Sequence, residues 1–278
     1  MKIVVTGSTG FIGSNFINFL LKKKIKSKIY AFCNKNIPID NIPKVKFVKY
    51  GLNKKLNLKI IDSKTIIIHL AWDYIPNYKT IRHKTIHLTH QKKFIKQILD
   101  QKPRSLFVMG TCFEYGFPIK KKVDENSKII PLNHYAYAKN QLRIYIMRNI
   151  NKRTKFTWAR LFYVYGKNQP QYTLYGQFQK YRNKNKELKK LIKNKQLELD
   201  YLKIEDVCKY IYALSFNNKN NYEVNICSGK KISLYELINK WSKTKIIKIK
   251  KKKNNYFYGS NDKLKKIFNE FKKNDYQF

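Results

Sequence analysis

Apolar residues in this chain fall into short runs separated by stretches of helical spacing. Lys2-Ile3-Val4-Val5 opens the chain as a β-branched run. Thr65-Ile66-Ile67-Ile68-His69-Leu70-Ala71 is a second run, apolar almost throughout. Runs without polar alternation belong to strands covered on both faces, and hence to a parallel sheet with helices on either side. Further strands are predicted over 28–33, 44–49, 105–109 and 155–161. Helical spacing is read over 78–99, closed by Pro103, and over 135–150. Alternation of the two element types implies right-handed crossovers. Beyond Gly166 the pattern loosens. Helices are predicted over 204–214 and 234–241 and a strand over 222–226. The stretch 178–195 is lysine-rich and only weakly periodic, and Ile246-Ile247-Lys248-Ile249 alternates like a strand.

The first strand runs into Thr6-Gly7-Ser8-Thr9-Gly10-Phe11-Ile12-Gly13. Gly7 suits a sharp turn, Gly10 lets backbone approach a phosphate, and Gly13 lets the next helix pack tightly. That helix has an apolar face of Phe11, Ile12, Phe16, Ile17, Phe19 and Leu20. Its N-terminus offers free N–H groups and a partial positive charge to an anion. A strand before the glycines and a helix after them is the context that makes the motif a dinucleotide site; the alternative is a tight turn with no ligand. The expected fold class is therefore α/β, a Rossmann-type doubly wound parallel sheet. Residues 1–165 would form the NAD(P)-binding domain, its sheet completed by part of 200–230. Residues 166–278 would form mainly a smaller substrate-binding lobe over the carboxyl ends of the strands. The second strand ends at Asn34-Lys35, with no acid for a ribose 2′-hydroxyl. Lys35 favours a 2′-phosphate, so NADP(H) is expected over NAD(H), unless Lys35 is one more solvated lysine.

Composition adds bounds. The 278 residues suffice for one large α/β domain, and a hydrophobic content of 43% supports a full core. No window is long and apolar enough to span a bilayer, and the chain opens on a strand rather than a signal peptide. Four scattered cysteines without a Cys-x-x-Cys pair read as reduced thiols in a cytoplasmic protein, and no metal site is expected. The net charge of +43 raises a polyanion role. Against it, lysines are spread over the whole length, in short clusters at 22–24, 120–122 and 250–253. Lys, Asn, Ile and Tyr are all abundant, as an A- and T-rich genome encodes. Specific nucleic-acid binding is not expected; salt-sensitive nonspecific binding is.

Tyr135 and Lys139 stand four apart and share one helix face. A phenol near its ordinary pKa is a poor acid–base at neutral pH, and a nearby ammonium should lower it. The pair could then relay a proton to a carbonyl oxygen. Asn133 could cap their helix. Thr111, at the carboxyl end of the fifth strand, could bond the substrate oxygen; the alternative is a residue capping the strand end.

With these residues in place, the chain resembles extended short-chain dehydrogenases/reductases, the NAD-dependent epimerase/dehydratase family acting on nucleotide-linked sugars. The matching strings run nearly end to end: the glycine motif, His69-Leu70-Ala71, Thr111-Cys112-Phe113-Glu114-Tyr115-Gly116 and Tyr135 with Lys139. They continue with Arg160, Val164-Tyr165-Gly166, Asp200-Tyr201-Leu202 with Glu205-Asp206-Val207, and Asn225-Ile226-Cys227-Ser228-Gly229. The resemblance implies that Thr111 positions the sugar oxygen, Tyr135 is the acid–base, and Lys139 also holds the nicotinamide ribose. It places Gly7, Thr9, Gly10, Phe11, Ile12, Gly13, Asn34, Lys35, Leu70 and Ala71 at the cofactor. It places Trp72, Cys112, Phe113, Glu114 and Tyr163 at the substrate. A homodimer is an open alternative.

Dehydratases of the family carry Asp-Glu where this chain has Cys112-Phe113, so dehydration is disfavoured. Gly110–Gly116, Trp158–Tyr163, His69-Leu70-Ala71-Trp72 and Pro76-Asn77-Tyr78 resemble reductases of nucleotide-linked 4-keto-6-deoxyhexoses, dTDP-4-dehydro-6-deoxyglucose reductases among them. The alternatives are a 4-epimerase with tightly bound NAD and, in another class, an RNA-binding protein on the same fold. Two departures stand out: Tyr163 where many members have Asn, and Leu199 where many have the arginine that clamps the pyrophosphate.

Overall fold

The computed structural model describes residues 1–34, 42–55, 58–75, 77–117, 121–192, 197–217, 219, 222–242 and 255–274. In chain order, the first half carries β1 (Lys2–Thr6), α1 (Phe11–Lys22), β2 (Lys28–Cys33), β3 (Val45–Lys49), β4 (Thr65–His69), α2 (Leu88–Asp100) and β5 (Ser105–Thr111). Then come β6 (Lys121–Val123), α3 (His134–Asn149), β7 (Lys155–Leu161), β8 (Tyr163–Tyr165), α4 (Leu174–Tyr181) and α5 (Asn185–Ile192). The remainder is β9 (Leu197–Leu199), β10 (Tyr201–Lys203), α6 (Ile204–Phe216), β11 (Tyr222–Ile226), β12 (Ile232–Ser233), α7 (Leu234–Ser242), β13 (Asn255–Gly259) and α8 (Asp262–Asn274).

Seven strands form one sheet in the order β3-β2-β1-β4-β5-β7-β11, every pair parallel. The strand order reverses between β1 and β4. That is the switch point at whose carboxyl edge ligands bind in such sheets. Successive side chains point to opposite faces, which divides the apolar runs between two cores. Ile3, Val5, Ile66 and Ile68 pack with Phe16, Leu20, Val207 and Ile211 on the side of α1 and α6. Val4 and Ile67 pack with Phe94, Ile98, Leu142 and Trp158 on the side of α2 and α3.

The chain beyond Gly166 contributes to both larger sheets. The edge strand β11 comes from it, as do α6 and α8, which pack against each other beside the seven-stranded sheet. A smaller packed unit also forms. Its core is Tyr165, Phe178, Leu188, Leu234, Leu237 and Ile238, beside a four-stranded sheet in the order β12-β9-β13-β6. Within 178–195, the described residues 178–192 hold the end of α4 and then α5. The expected strand at Ile246–Ile249 and the cluster at 250–253 lie outside the described residues. Helical spacing over 78–99 also splits: a π-helical turn, His83–His87, precedes α2. The residues ahead of it are held in a loop because the His83 ring bonds back to Asn77. No described helix is long and apolar enough to cross a membrane.

Gly13 fixes how α1 meets the sheet, since a Cβ there would lie 2.2 Å from the Gly7 carbonyl oxygen. Gly13→Ala must therefore push the helix from the loop. We expect destabilisation of about 1–3 kcal/mol, measured by urea unfolding, with weakened dinucleotide binding.

Candidate active site

The glycine loop, the ends of β4 and β5 and the start of α3 meet at the carboxyl edge of the sheet. Gly7 has φ +66°, and a Cβ on it would lie 2.9 Å from the Ala71 backbone. Two loops therefore touch backbone to backbone across the switch point. A closed hydrogen-bond circuit holds them there. Thr6 Oγ1 accepts from the Leu70 and Ala71 N–H groups, each at 3.2 Å. With its lone pairs so engaged, its hydrogen goes to His69 Nδ1, 2.8 Å away. His69 Nε2 then donates to Gln91 Oε1 at 2.7 Å, and Gln91 returns a bond to the Ala71 carbonyl at 2.9 Å. Burial, joined by the Lys139 charge, pushes His69 down to about 3, so the circuit keeps one tautomer at neutral pH. Thr6, His69 and Gln91 build the floor under Leu70-Ala71; a buried polar residue in an apolar strand was the signal for His69.

Above that floor the loop fits a dinucleotide. Thr9 and Gly10 are exposed at its mouth. A Cβ on Gly10 would meet only the Gly7 carbonyl oxygen, at 3.2 Å, so the cradle is open. No side chain caps α1 and no acid lies in its first turn. The leading N–H groups at Phe11, Ile12 and Gly13 have no partner within the helix and are free for a diphosphate. Asn34 is exposed at the end of β2. Lys35 lies outside the described residues.

Tyr135 and Lys139 lie in the first turns of α3, whose N-cap Asn133 accepts from the Ala136 N–H at 2.9 Å. Both are buried. Lys139 donates to the Met109 carbonyl at 2.8 Å, and its Nζ lies 4.2 Å from the Trp72 ring centroid. The expected lowering of the Tyr135 pKa is corrected. Burial, reinforced by Glu114, pushes that hydroxyl well above its ordinary value. Burial pushes Lys139 down to about 7, against the pull of Glu114. Desolvation outweighs the pairing, and the resting tyrosine is the protonated acid.

Thr111 ends β5 and caps the 3₁₀ turn Cys112–Tyr115. Its hydroxyl accepts from the Phe113 N–H at 3.3 Å, while Glu114 Oε1 accepts from the Thr111 N–H at 2.9 Å. This reciprocal box fixes the Thr111 side chain and leaves its own O–H to donate. Glu114, expected at the substrate, is corrected to a buried structural role. It has no exposed surface and accepts also from Trp158 Nε1 and Arg160 Nε. Cys112 is likewise buried, its thiol pushed up by desolvation. The remaining expected substrate residues stand in a row of rings. Trp72 meets Tyr135 at 5.6 Å, Tyr135 meets Tyr78 at 5.9 Å, Tyr78 meets Phe113 at 5.5 Å, and Phe113 meets Tyr163 at 6.0 Å. Tyr163 continues the row to Tyr201 at 5.4 Å. Leu199, in the place of a clamping arginine, is a buried core residue.

Behind Thr111 runs a chain of charges: Glu114, Arg160, Glu223 and Arg143. Arg160 is fully buried. Arg160→Met would leave the Glu114 carboxylate uncompensated, at an expected cost of about 3–5 kcal/mol. Adding Glu114→Gln, which can keep the cap, should recover part of that loss. Urea unfolding of the single and double variants checks both values.

Comparison with known proteins places this geometry. The model of the NAD dependent epimerase/dehydratase family matches residues 3–227. A dTDP-6-deoxy-L-talose 4-dehydrogenase (NAD(+)) of Aggregatibacter actinomycetemcomitans is 24% identical, over 91% of this chain and 94% of that protein. A GDP-6-deoxy-D-talose 4-dehydrogenase of the same organism is 26% identical, over 94% and 86%. Among solved structures, a UDP-glucuronic acid 4-epimerase from Bacillus cereus, in complex with UDP-glucuronic acid and NAD, superposes with a TM-score of 0.76. It is 19% identical, covering 97% of this chain and 93% of that one. With the family model spanning most of the sheet and every strand-end motif of the site, the chain belongs to the NAD dependent epimerase/dehydratase family.

Proposed function

We propose that this protein is an NAD(P)-linked oxidoreductase acting at C4 of a nucleotide-linked hexose. The reaction we infer is reduction of the 4-keto group of a nucleotide-linked 4-keto-6-deoxyhexose, as in dTDP-4-dehydro-6-deoxyglucose reductases. The observation that carries the reading is the buried Tyr135–Lys139 pair beside Thr111, with no acid at Cys112 or Phe113 to remove water from the sugar. Two relatives named as 4-dehydrogenases of nucleotide-linked 6-deoxyhexoses support it, because 4-dehydrogenation is the reverse of this reduction.

The residues divide the work. A reduced nicotinamide, when bound, supplies the hydride for C4. The Thr111 hydroxyl, held by its cap, donates to the C4 oxygen and orients the carbonyl. Tyr135 gives its phenolic proton to the same oxygen as the alkoxide develops. The Lys139 ammonium offsets the phenolate so formed; on this reading it also bonds the nicotinamide ribose. The aromatic row from Trp72 to Tyr201 walls the sugar and excludes water. One hydride and one proton enter, and the product is a secondary alcohol.

The test is a panel of nucleotide-linked 4-keto-6-deoxyhexoses offered to purified protein with reduced nicotinamide, followed by loss of absorbance and product analysis. Tyr135→Phe should keep cofactor binding and lower turnover by roughly 10²–10⁴-fold. Wild-type rates in that variant would remove Tyr135 from the mechanism. Protein that carries stoichiometric, non-exchanging cofactor and interconverts two 4-hydroxy sugars without added reductant would be a 4-epimerase instead.

For the cofactor we infer NADPH over NADH, since the sequence after β2, Asn34-Lys35, carries no acid. Lys35→Asp should narrow or reverse the ratio of kcat/KM values. Equal use of both cofactors by the wild type would reject the preference.

A further inference from the structure

We propose that His83 is a positioning residue of this site: it holds Trp72 as the plate that fixes the Lys139 ammonium and flanks the Tyr135 ring. The proposal rests on the reading of Tyr135 and Lys139 as the reacting pair.

His83 is fully buried at the start of the π-helical turn His83–His87. Single π turns are rare and recur at functional sites. This one packs against both α2 and α3. The His83 ring is bonded at both nitrogens. Trp72 Nε1 donates to His83 Nδ1 at 3.1 Å, and His83 Nε2 lies 3.0 Å from the Asn77 carbonyl oxygen. An indole N–H only donates and a carbonyl only accepts. Nδ1 must therefore be bare and Nε2 must carry the hydrogen. The geometry admits one tautomer of a neutral imidazole.

What this lock holds is the chemistry. The Trp72 face lies 4.2 Å from Lys139 Nζ, and Trp72 meets the Tyr135 ring edge-on at 5.6 Å. The His83 ring itself meets Tyr135 at 5.4 Å. Lys139 is thus held between the Met109 carbonyl and an aromatic plate, and the plate is aimed by one histidine. Protonating His83 would place a second N–H against the indole N–H and break the bond. The groups facing His83 are Tyr135, His134 and Lys139 from α3 and His87 from its own turn. Burial, aided by the charges of His134 and Lys139, holds His83 below the ordinary histidine value. The plate stays locked at neutral pH and is released in acid.

The test uses protein labelled with ¹⁵N-tryptophan. The chain has three tryptophans, and Trp72→Phe identifies the Trp72 indole signal. In the wild type that signal should shift in a single titration below pH ~6.5, with far-UV dichroism confirming the fold. His83→Asn, which keeps an acceptor near Nδ1 but takes up no proton, should remove the titration. His83→Phe should shift the signal at every pH. In turnover, His83→Phe should lower kcat about tenfold. It should add nothing to Trp72→Phe, and His83→Asn should recover most of the loss. A pH-independent Trp72 signal in the wild type, or additive effects of His83→Phe and Trp72→Phe, would overturn the proposal. If His83→Phe does not fold, the wild-type titration against His83→Asn still decides. A wild type that turns over no sugar of the panel would refute the proposed reaction, while the indole titration still judges the lock.

Discussion

A carboxylate buried behind the strand ends organises this molecule. Glu114 has no exposed surface, yet it sits at the carboxyl end of β5, beside the proposed reacting residues. Burial of a charge is costly unless every acceptor is used. Its donors come from the Thr111 backbone, the Trp158 indole and the Arg160 guanidinium. Arg160 reaches on to Tyr115 and Glu223, and Glu223 is met by Arg143 from α3. One interaction therefore ties β5, β7, β11 and α3 together directly behind Thr111. Such a pair adds little net stability over an apolar replacement. What it supplies is registry: the Thr111 cap, and with it the direction of the Thr111 hydroxyl, follows from where Glu114 is held.

The same economy governs the other acids. The chain has 17 acidic residues against 60 lysines and arginines. Several of them hold backbone in place, while others pair with surface lysines. Asp200 accepts from the Ser228 and Gly229 N–H groups, Glu125 from the Asn225 N–H, and Asp124 from the Asn126 N–H and the Ser127 hydroxyl. Glu236 accepts from both the backbone and the hydroxyl of Ser233 at the entry to α7. A surface of net positive sign also raises the local concentration of any dinucleotide or sugar nucleotide near the sheet edge.

The parallel sheet was legible because its strands are apolar on both faces and its glycine loop has a local grammar. Gly7, Gly10 and Gly13 each answer a steric demand that any strand–turn–helix of this kind must meet. The pairing of Tyr135 with Lys139 was legible from helical spacing. Glu114 was misread because a strand-end acid looks the same in sequence whether it faces a ligand or an arginine, and Arg160 and Glu223 are far away in the chain. His83 left no signal, because a histidine within a helical stretch looks like any other until Trp72 and the Asn77 carbonyl are brought to its ring.

The protonation states are compatible with the proposed reduction. Burial keeps Tyr135 a neutral phenol and brings Lys139 down to about 7, poised at neutral pH between its charged and neutral forms. Reduction of a ketone starts from such a state: the acid is already protonated, and charge appears only as the proton leaves. Oxidation of an alcohol needs the phenolate first, against both desolvation and the Glu114 charge. Glu114 acts on the two partners in opposite senses. It disfavours the phenolate, and it favours the ammonium that would stabilise that phenolate. The result is a proton donor held in its acid form beside a cation whose charge is sustained from behind. On the proposed reaction, the cost of forming the phenolate would be met locally by Lys139, held between the Met109 carbonyl and the Trp72 face.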